Sequence, residues 1–162
     1  MRRCAASPVA LFAIAVLCGQ AQPSTATLVG RVSALAKGGE TKPARLAHVF
    51  LAAGPDQVRL HEEVEKAAAK RREDVKNGED SQEACALASV SIHEAVDGVA
   101  GVKTVNTDED GNFEFTKIKA GTYTVVVMGS AAGYESVWSL TTTVTAGKRQ
   151  KVKLSEPALA CQ

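Results

Sequence analysis

The sequence predicts a mainly β protein, namely a seven-stranded antiparallel Greek-key β-sandwich into which an α-helical hairpin is inserted. Residues 57–97 contain no Phe, Trp, Tyr or Pro and are rich in Ala, Glu, Lys and Arg, which favour helix. The segments that flank them are rich in Val, Thr and Gly and alternate in polarity over short stretches. Gly-containing turns separate those stretches at regular spacing, which is typical of a sandwich.

The overall composition excludes several classes of protein. Of the 162 residues, 45% are apolar and 23% are charged, and the net charge is +1. This balance argues against a nucleic-acid binder that works by neutralising phosphates, and the apolar content is too high for a disordered tail. Aromatic residues make up 4% of the chain, so a deep aromatic ligand cleft is not expected. The length fits one globular domain.

The N-terminal segment has the features of a secretory signal peptide. Arg2 and Arg3 precede an uncharged apolar run, residues 9–17, and small residues follow up to Ala21. We therefore predict cleavage after Ala21, which removes residues 1–21 and leaves residues 22–162 as a single domain. The apolar run is too short for a permanent membrane span, and no later stretch is apolar enough. The expected location is secreted or periplasmic, with no stable membrane span.

The four cysteines raise two separate questions. Cys18 would anchor a lipoprotein, but Ala15 and Leu17 stand where a lipobox has Leu and a small residue, so lipidation is the less favoured alternative. Cleavage leaves Cys85 and Cys161, an even number in an exported chain, and a disulfide between them is one interpretation. The other interpretation is a small buried Cys85 and a free Cys161 near the end of the chain.

The inserted block, residues 57–97, is expected to form two antiparallel helices. Asp56 can cap the first helix, and Asp80 can cap the second. The second helix is apolar over a wide arc that includes Leu87 and Val90, so we expect it to be largely buried. The hairpin is interpreted as a cover for one sheet or one end of the sandwich, and the alternative is a docking element for a partner.

Outside the hairpin, seven segments have the pattern of strands. They lie roughly at residues 26–34, 45–53, 101–107, 112–117, 121–129, 135–145 and 149–154. A basic run, Lys148, Arg149, Lys151 and Lys153, begins just before the last segment and continues along it. We interpret this run as the solvated face of an edge strand, where charge discourages pairing with another chain. A patch for an anionic ligand is the alternative.

An acidic turn precedes the fourth strand segment. Asp108 and Asp110 lie before Gly111, and Asp-Gly between two alternating segments is a strong signal for a β-hairpin. The same residues also suggest a calcium loop, but an EF-hand needs a Glu at its twelfth position, and Lys119 stands there. Turn chemistry is therefore the favoured interpretation.

The aromatic residues that follow this turn are candidates for the core. Phe113 and Phe115 alternate along one strand and share one of its faces. Gly121 turns the chain into the next strand. There, Tyr123 can bury its ring while its hydroxyl reaches a backbone carbonyl.

These motifs together resemble the carboxypeptidase regulatory-like domain. The stretch VNTDEDGNFEFTKIKAGTYTVVVMGSAAGY, residues 105–134, has the Thr-Asp, Asp-Gly, Phe-x-Phe, Gly-x-Tyr and Val-run pattern of that family. Residues 28–51 resemble its opening, and residues 144–154 resemble its last hairpin. The resemblance implies a prealbumin-like, seven-stranded sandwich related to carbohydrate-binding-like folds and to the B-type repeats of surface adhesins. It also implies a domain that is usually non-catalytic, and the helical hairpin is a departure from the family pattern.

No catalytic, metal or cofactor residues are predicted. His61 begins HEEVE and His93 begins HEAVD, which look like a zincin helix, but a carboxylate stands where the second zinc-binding His is needed. The GSAAG stretch at residues 129–133 is not a nucleophile elbow. We therefore expect a protein that is not an enzyme and needs no cofactor.

The expected function is that of an exported binding or structural module that serves as a protein-interaction scaffold. Its partner is expected to be another envelope or secreted protein. The alternative is a carbohydrate, for which Tyr134 and Trp138 are the candidate contact aromatics, although Trp138 also fits the core. Nucleic acid is not an expected partner.

Overall fold

A computed structural model describes residues 25–161, so the predicted signal peptide and Cys18 lie outside the described residues. Within that range the chain forms nine strands and two helices. In chain order they are β1 (Thr25–Leu35), β2 (Thr41–Pro43), β3 (His48–Ala53), α1 (Pro55–Lys76), α2 (Ser81–Asp97), β4 (Lys103–Asn106), β5 (Asn112–Lys119), β6 (Gly121–Ala131), β7 (Tyr134–Val144), β8 (Arg149–Leu154) and β9 (Leu159–Cys161).

The strands form two sheets. The four-stranded sheet contains β2, β1, β5 and β8, and the five-stranded sheet has the order β4-β3-β6-β7-β9. Strand β1 is central to the first sheet, because it pairs antiparallel with β5 through residues 25–31 and parallel with β8 through residues 27–32. Strand β8 therefore lies on the opposite edge of β1 from β5.

The space between the two sheets holds the main hydrophobic core. Leu28, Val32, Phe113 and Phe115 reach it from the four-stranded sheet, and Trp138 reaches it from β7. Leu28 and Val32 are four positions apart and Phe113 and Phe115 are two apart, and even spacings place side chains on one face of a strand. The indole Nε1 of Trp138 donates a hydrogen bond to the carbonyl oxygen of Ser33 at 3.1 Å, which ties the sheets together.

The helical hairpin packs on the outer face of the five-stranded sheet and forms a second core there. Leu60 and Val64 of α1 and Ile92 of α2 lie against Val126 and Met128 of β6. Because both faces of β6 are covered, its valines are buried in succession rather than alternately. The hairpin is therefore a cover for one sheet.

The helix ends differ in part from the sequence prediction. Asp80 caps α2, since its Oδ1 accepts hydrogen bonds from the backbone N–H groups of Gln82 at 2.8 Å and Glu83 at 3.0 Å. The prediction that Asp56 caps α1 is wrong, because the helix begins at Pro55, and Gly54 is its N-cap without a side-chain hydrogen bond. Proline suits the first turn, where its missing N–H has no partner to lose.

The expectation that α2 is largely buried is correct for one side of its apolar arc and wrong for the other. Leu87 and Val90 are 58% and 55% exposed, although Cys85, Ala88 and Ile92 on the same helix are buried. The reason is geometric, because α1 and the sheet together contact one stripe of α2, and the apolar arc is wider than that stripe.

The predicted fold class, a mainly β sandwich with an inserted helical hairpin, is confirmed, with two differences in detail. Strands β2 and β9 have three residues each, too few for a detectable alternation, so the sequence predicted seven strands. The pairing of β1 with β8 is parallel, whereas the other strand pairs of residues 25–161 are antiparallel. None of the helices in that range is long and apolar enough to cross a membrane.

Candidate binding surface

The two outer faces of the sandwich differ, because the hairpin covers one of them. The other is the outer face of the four-stranded sheet, which we call the open face. Its side chains alternate with the buried Leu28, Gly30 and Val32 on β1 and with their neighbours on β5 and β8. They are Thr27, Val29, Arg31, Asn112, Glu114, Arg149, Lys151 and Lys153.

A groove of about 600 Å³ runs along the open face. It extends from β8 across β1 and β5 to the segment that joins β4 and β5. Polar and charged side chains dominate its lining: Arg31, Asn106, Thr107, Asp108, Asn112, Glu114, Arg149 and Lys151. Val29 contributes an apolar side chain near the middle. Such a surface favours a polar ligand held by hydrogen bonds and charge.

Gly30 explains how the chain builds a flat floor under this groove. Its register partners are Phe113 on β5 and Val152 on β8, and all three residues face the core. A Cβ at Gly30 would overlap the Phe113 ring and lie 2.9 Å from Val152 Cγ2. The absent side chain therefore lets the buried ring lie across β1, directly beneath the open face.

The loop before β5 closes one end of the groove. Asp108 Oδ1 accepts hydrogen bonds from the backbone N–H of Asn112 at 2.7 Å and of Asp110 at 2.9 Å, and the Asn112 amide donates to both carboxylate oxygens. These hydrogen bonds hold the pKa of Asp108 below its usual value, and the bond from the Asn112 backbone N–H has the largest effect. The positive charge of Arg31 lowers the pKa further. The Asp108 carboxylate is thus engaged by the turn itself.

The same loop explains the glycine of the Asp-Gly pair. Gly111 has a φ of 79°, a left-handed conformation that other residues rarely adopt. A Cβ there would overlap the carbonyl oxygen of Val32. Within residues 25–161 no group of three or more His, Cys, Asp or Glu side chains could hold a metal ion.

The cations of the open face differ in their partners. Arg149 forms a two-pronged ion pair with Glu114, with N–O distances of 2.9 and 3.2 Å. Arg31 donates from Nε to the backbone oxygen of Asp110 at 3.2 Å. In the described part of the chain, Arg31, Lys151 and Lys153 belong to no ion pair.

The two candidate contact aromatics are not part of this surface. Trp138 is 0% exposed and cannot contact a ligand, so its assignment to a binding site is wrong, and its place is in the core. Tyr134 is half-buried at the start of β7, and Lys37 Nζ lies 5.5 Å from its ring centroid. It borders two smaller clefts near β9 and α2 and does not line the groove.

The remaining motif residues support the core. Phe113 and Phe115 pack edge to face with ring centroids 5.9 Å apart. Tyr123 buries its ring, and its hydroxyl donates to the carbonyl oxygen of Lys119 at 2.9 Å. Gly121 lies at the start of β6 with a φ of 155°.

A disulfide joins Cys85 on α2 to Cys161 on β9, with the two Cα atoms 5.7 Å apart. Strand β9 pairs with β7 at the edge of the five-stranded sheet. The bond therefore fastens the hairpin to the end of the chain. It lies on the covered side of the sandwich, away from the groove.

The structure also brings together a His and a Ser that local sequence patterns do not connect. His61 Nδ1 on α1 lies 2.7 Å from Ser139 Oγ on β7. The two residues are 78 positions apart in the sequence, so only the docking of the hairpin pairs them. Their hydrogen bond ties α1 to the sheet.

A comparison with family profiles confirms the resemblance that the sequence indicated. The sequence profile of the carboxypeptidase regulatory-like domain matches residues 75–155. The chain belongs to this family. The matched part of this carboxypeptidase regulatory-like domain runs from the end of α1 through β8, and residues 28–51 lie outside the match.

Comparison with a solved structure supports the fold of this carboxypeptidase regulatory-like domain. A proposed carbohydrate binding protein from Pseudomonas aeruginosa is 19% identical, with 83% of this chain and 90% of that chain aligned at a TM-score of 0.51. The minor pilin of Streptococcus agalactiae is 14% identical, with 83% of this chain and 44% of that chain aligned at a TM-score of 0.46. This chain therefore spans less than half of the pilin. No curated protein matches the chain.

Proposed function

We propose that this protein is an exported, non-catalytic module that binds its ligand on the open face of the four-stranded sheet. One observation carries the proposal: the helical hairpin covers the outer face of the other sheet, and the groove lies on the face that it leaves accessible. Ligand sites are concave surfaces with a few convergent polar groups, and the groove has both features.

Further observations support export and binding. Residues 1–21 have the pattern of a signal peptide, and a disulfide such as Cys85–Cys161 persists in oxidising compartments. The Pseudomonas aeruginosa protein of similar fold is itself a proposed carbohydrate binding protein, which makes a saccharide a natural ligand class to test. The aromatic-poor groove favours recognition by hydrogen bonds and charge.

A second candidate function is supported by the exposed side of α2. Leu87 and Val90 are more than half exposed, and α2 carries three acidic residues and no Lys or Arg. This combination fits a secreted or envelope protein with an apolar, basic contact surface, by charge complementarity. In that case the module acts as a protein-interaction scaffold.

Hydroxyl-radical footprinting of the purified protein tests the two candidates together. The protein is labelled alone, with envelope polysaccharides, and with solubilised envelope proteins. We expect polysaccharides to protect Val29 and other open-face side chains and to leave Leu87 and Val90 as reactive as before. Protection of Leu87 and Val90 by proteins, without protection of Val29, would establish the second candidate instead. Absence of protection by any fraction would contradict both.

A further inference from the structure

We propose that the ligand of the open face is an acidic polysaccharide whose carboxylates are bound by Arg31, Lys151 and Lys153. This inference rests on the proposed function and narrows it to one class of saccharide. It also assigns a role to the basic run of β8. From the sequence alone, this run is interpreted as the solvated face of an edge strand.

The strand register concentrates positive charge in one place. Arg31 on β1 is the direct partner of Lys153 on β8, and Val29 is the partner of Lys151. Paired residues of adjacent strands lie roughly 5 Å apart, and Lys151 and Lys153 are two positions apart on the same face, roughly 7 Å. Three cations therefore share a small area in which none of them forms an ion pair with a described carboxylate. Asp108 is already held by hydrogen bonds within its own loop, which lower its pKa most, and Arg31 lowers that pKa further.

Like charges directly opposite each other on a sheet are unfavourable, so this cluster is destabilising until an anion approaches. The neighbouring Arg149 shows the contrast, because Glu114 neutralises it with two hydrogen bonds. Arg31 is also oriented, since its Nε is held by the Asp110 carbonyl and its terminal nitrogens remain for a ligand. A guanidinium in this position suits a carboxylate, which it can bind through two parallel hydrogen bonds.

The groove that Arg31 and Lys151 line, next to Lys153, favours a saccharide over other polyanions. The Asn106 amide and the amide oxygen of Asn112, whose nitrogen already donates to Asp108, can bind sugar hydroxyls. Protein interfaces rely on aromatic and large apolar anchors, and single-stranded nucleic acids stack on aromatic rings. Phe113 is the aromatic residue that lines the groove, and its ring is buried.

A neutral saccharide fits the groove less well than a charged one. Without an exposed aromatic ring for a sugar to stack on, affinity must come from hydrogen bonds and charge. The stretch of β8 from Arg149 to Lys153 is roughly 13 Å long, so consecutive charged sugars can engage more than one cation.

Binding of defined polymers to the purified protein tests the proposal by isothermal titration calorimetry. The test ligands are polygalacturonate and alginate. Methyl-esterified polygalacturonate is the uncharged control, and poly-glutamate and duplex DNA are the other polyanions. We expect both polyuronates to bind and their affinity to fall as salt rises. We expect the affinity for the methyl ester to be lower by roughly tenfold or more, because the ester cannot form charge-assisted hydrogen bonds.

Two open-face variants and one control define the site. Arg31→Gln and Lys153→Gln should each weaken polyuronate binding roughly tenfold. Lys66→Gln on α1 is the matched control, because Lys66 is an exposed cation on the covered side, and it should leave binding unchanged. Circular dichroism of each variant establishes that the fold is retained.

The outcomes separate the inference from the function on which it rests. If the methyl ester binds as tightly as polygalacturonate and still protects Val29, the open face is a saccharide site, but the acidic inference is wrong. If poly-glutamate or DNA binds as tightly and with the same variant sensitivity, the choice of a saccharide is wrong. Polyuronate binding that protects Leu87 rather than Val29 would overturn the proposed function as well. Absence of polyuronate binding would overturn the inference.

Discussion

At the scale of single residues, Asp108 makes the stability of the β4–β5 loop depend on pH. Its folded-state pKa is lowered by hydrogen bonds from Asn112, so the stabilisation is fully present above the unfolded-state pKa, about 3.9. It is lost as the pH falls through the lower, folded-state pKa. We expect stability to decline below about pH 4, and we expect Asp108→Asn to make that decline shallower.

Chemical denaturation between pH 2 and 7 measures this effect. Glu109→Gln is the matched control, because Glu109 is the adjacent loop carboxylate and is exposed. An Asp108→Asn variant with the same pH dependence as the unmodified protein would show that the loop carboxylate has no such role.

Gly111 provides a second prediction for a single residue, because a side chain there is unfavourable for two separate reasons. Its left-handed φ of 79° costs a non-glycine residue about 1–2 kcal/mol, and a Cβ would also overlap the Val32 carbonyl oxygen. Gly133 has a φ of 87° but open space around the position of a Cβ. We therefore expect Gly111→Ala to lower the free energy of unfolding by clearly more than Gly133→Ala does, in urea denaturation. Equal losses would mean that the loop moves away from Val32 freely.

At the scale of elements, the two sides of α2 should respond differently to truncation. Ile92 is fully buried against the hairpin and sheet, whereas Leu87 is 58% exposed. Ile92→Ala should cost about 2–5 kcal/mol, the usual range for truncating a buried side chain. Leu87→Ala should change stability by less than about 0.5 kcal/mol, as surface substitutions do. Denaturant titrations of the two variants measure the difference, and a large loss at Leu87 would place that face in an interface.

The disulfide joins elements that are far apart in the sequence, so its removal should be costly. Cys85 and Cys161 are separated by 76 positions, and closing a loop of that length stabilises a protein by about 4–5 kcal/mol in the chain-entropy model. We expect Cys85→Ser with Cys161→Ser to lower the free energy of unfolding by an amount of this order. Hydrogen exchange should rise most in α2 and β9, and the slowest amides of the core should also exchange faster, because they exchange through global unfolding. Unchanged stability in the double variant would mean that packing alone holds β9.

Local patterns predicted the elements well and their long-range partners poorly. The alternation of Phe113 with Phe115 defines a strand from adjacent residues alone. The β-hairpin predicted at the Asp-Gly turn is wrong, because β5 pairs with β1 in one sheet and β4 pairs with β3 in the other, so the turn connects the two sheets. The open face requires Arg31 and Lys153 to be partners, although 122 positions separate them (153 − 31), and no local signal encodes that parallel pairing. The same limit applied to Trp138, because a lone aromatic in an alternating strand fits either face until the sheets are assembled.

At the scale of the whole molecule, the five-stranded sheet is the middle of three layers. It faces the four-stranded sheet on one side and the helical hairpin on the other, which is why Val125, Val126 and Val127 are all buried. The hairpin enters between β3 and β4, which are antiparallel neighbours with Leu51 opposite Lys103. A short turn could join those strands, so the hairpin is an added layer rather than a link that the sandwich needs.

This layering predicts what removal of the hairpin does. Replacing residues 55–101 by a short Gly-rich turn leaves the sandwich core in place but exposes Ala52, Val126, Met128 and Val137 to water. Contiguous apolar surface of this kind favours association, and the truncation also removes the disulfide partner of Cys161. We expect a variant that retains β-sheet circular dichroism but self-associates in analytical ultracentrifugation.

A second truncated variant distinguishes exposed apolar surface from simple misfolding. Adding Val126→Thr and Val137→Thr places β-favouring polar side chains on the exposed face without changing the strands' shape. This variant should recover the monomer if uncovered apolar surface causes the association. If the first truncated protein is already a folded monomer, the sandwich does not need the hairpin as a cover, and the docking role of α2 through Leu87 and Val90 gains support.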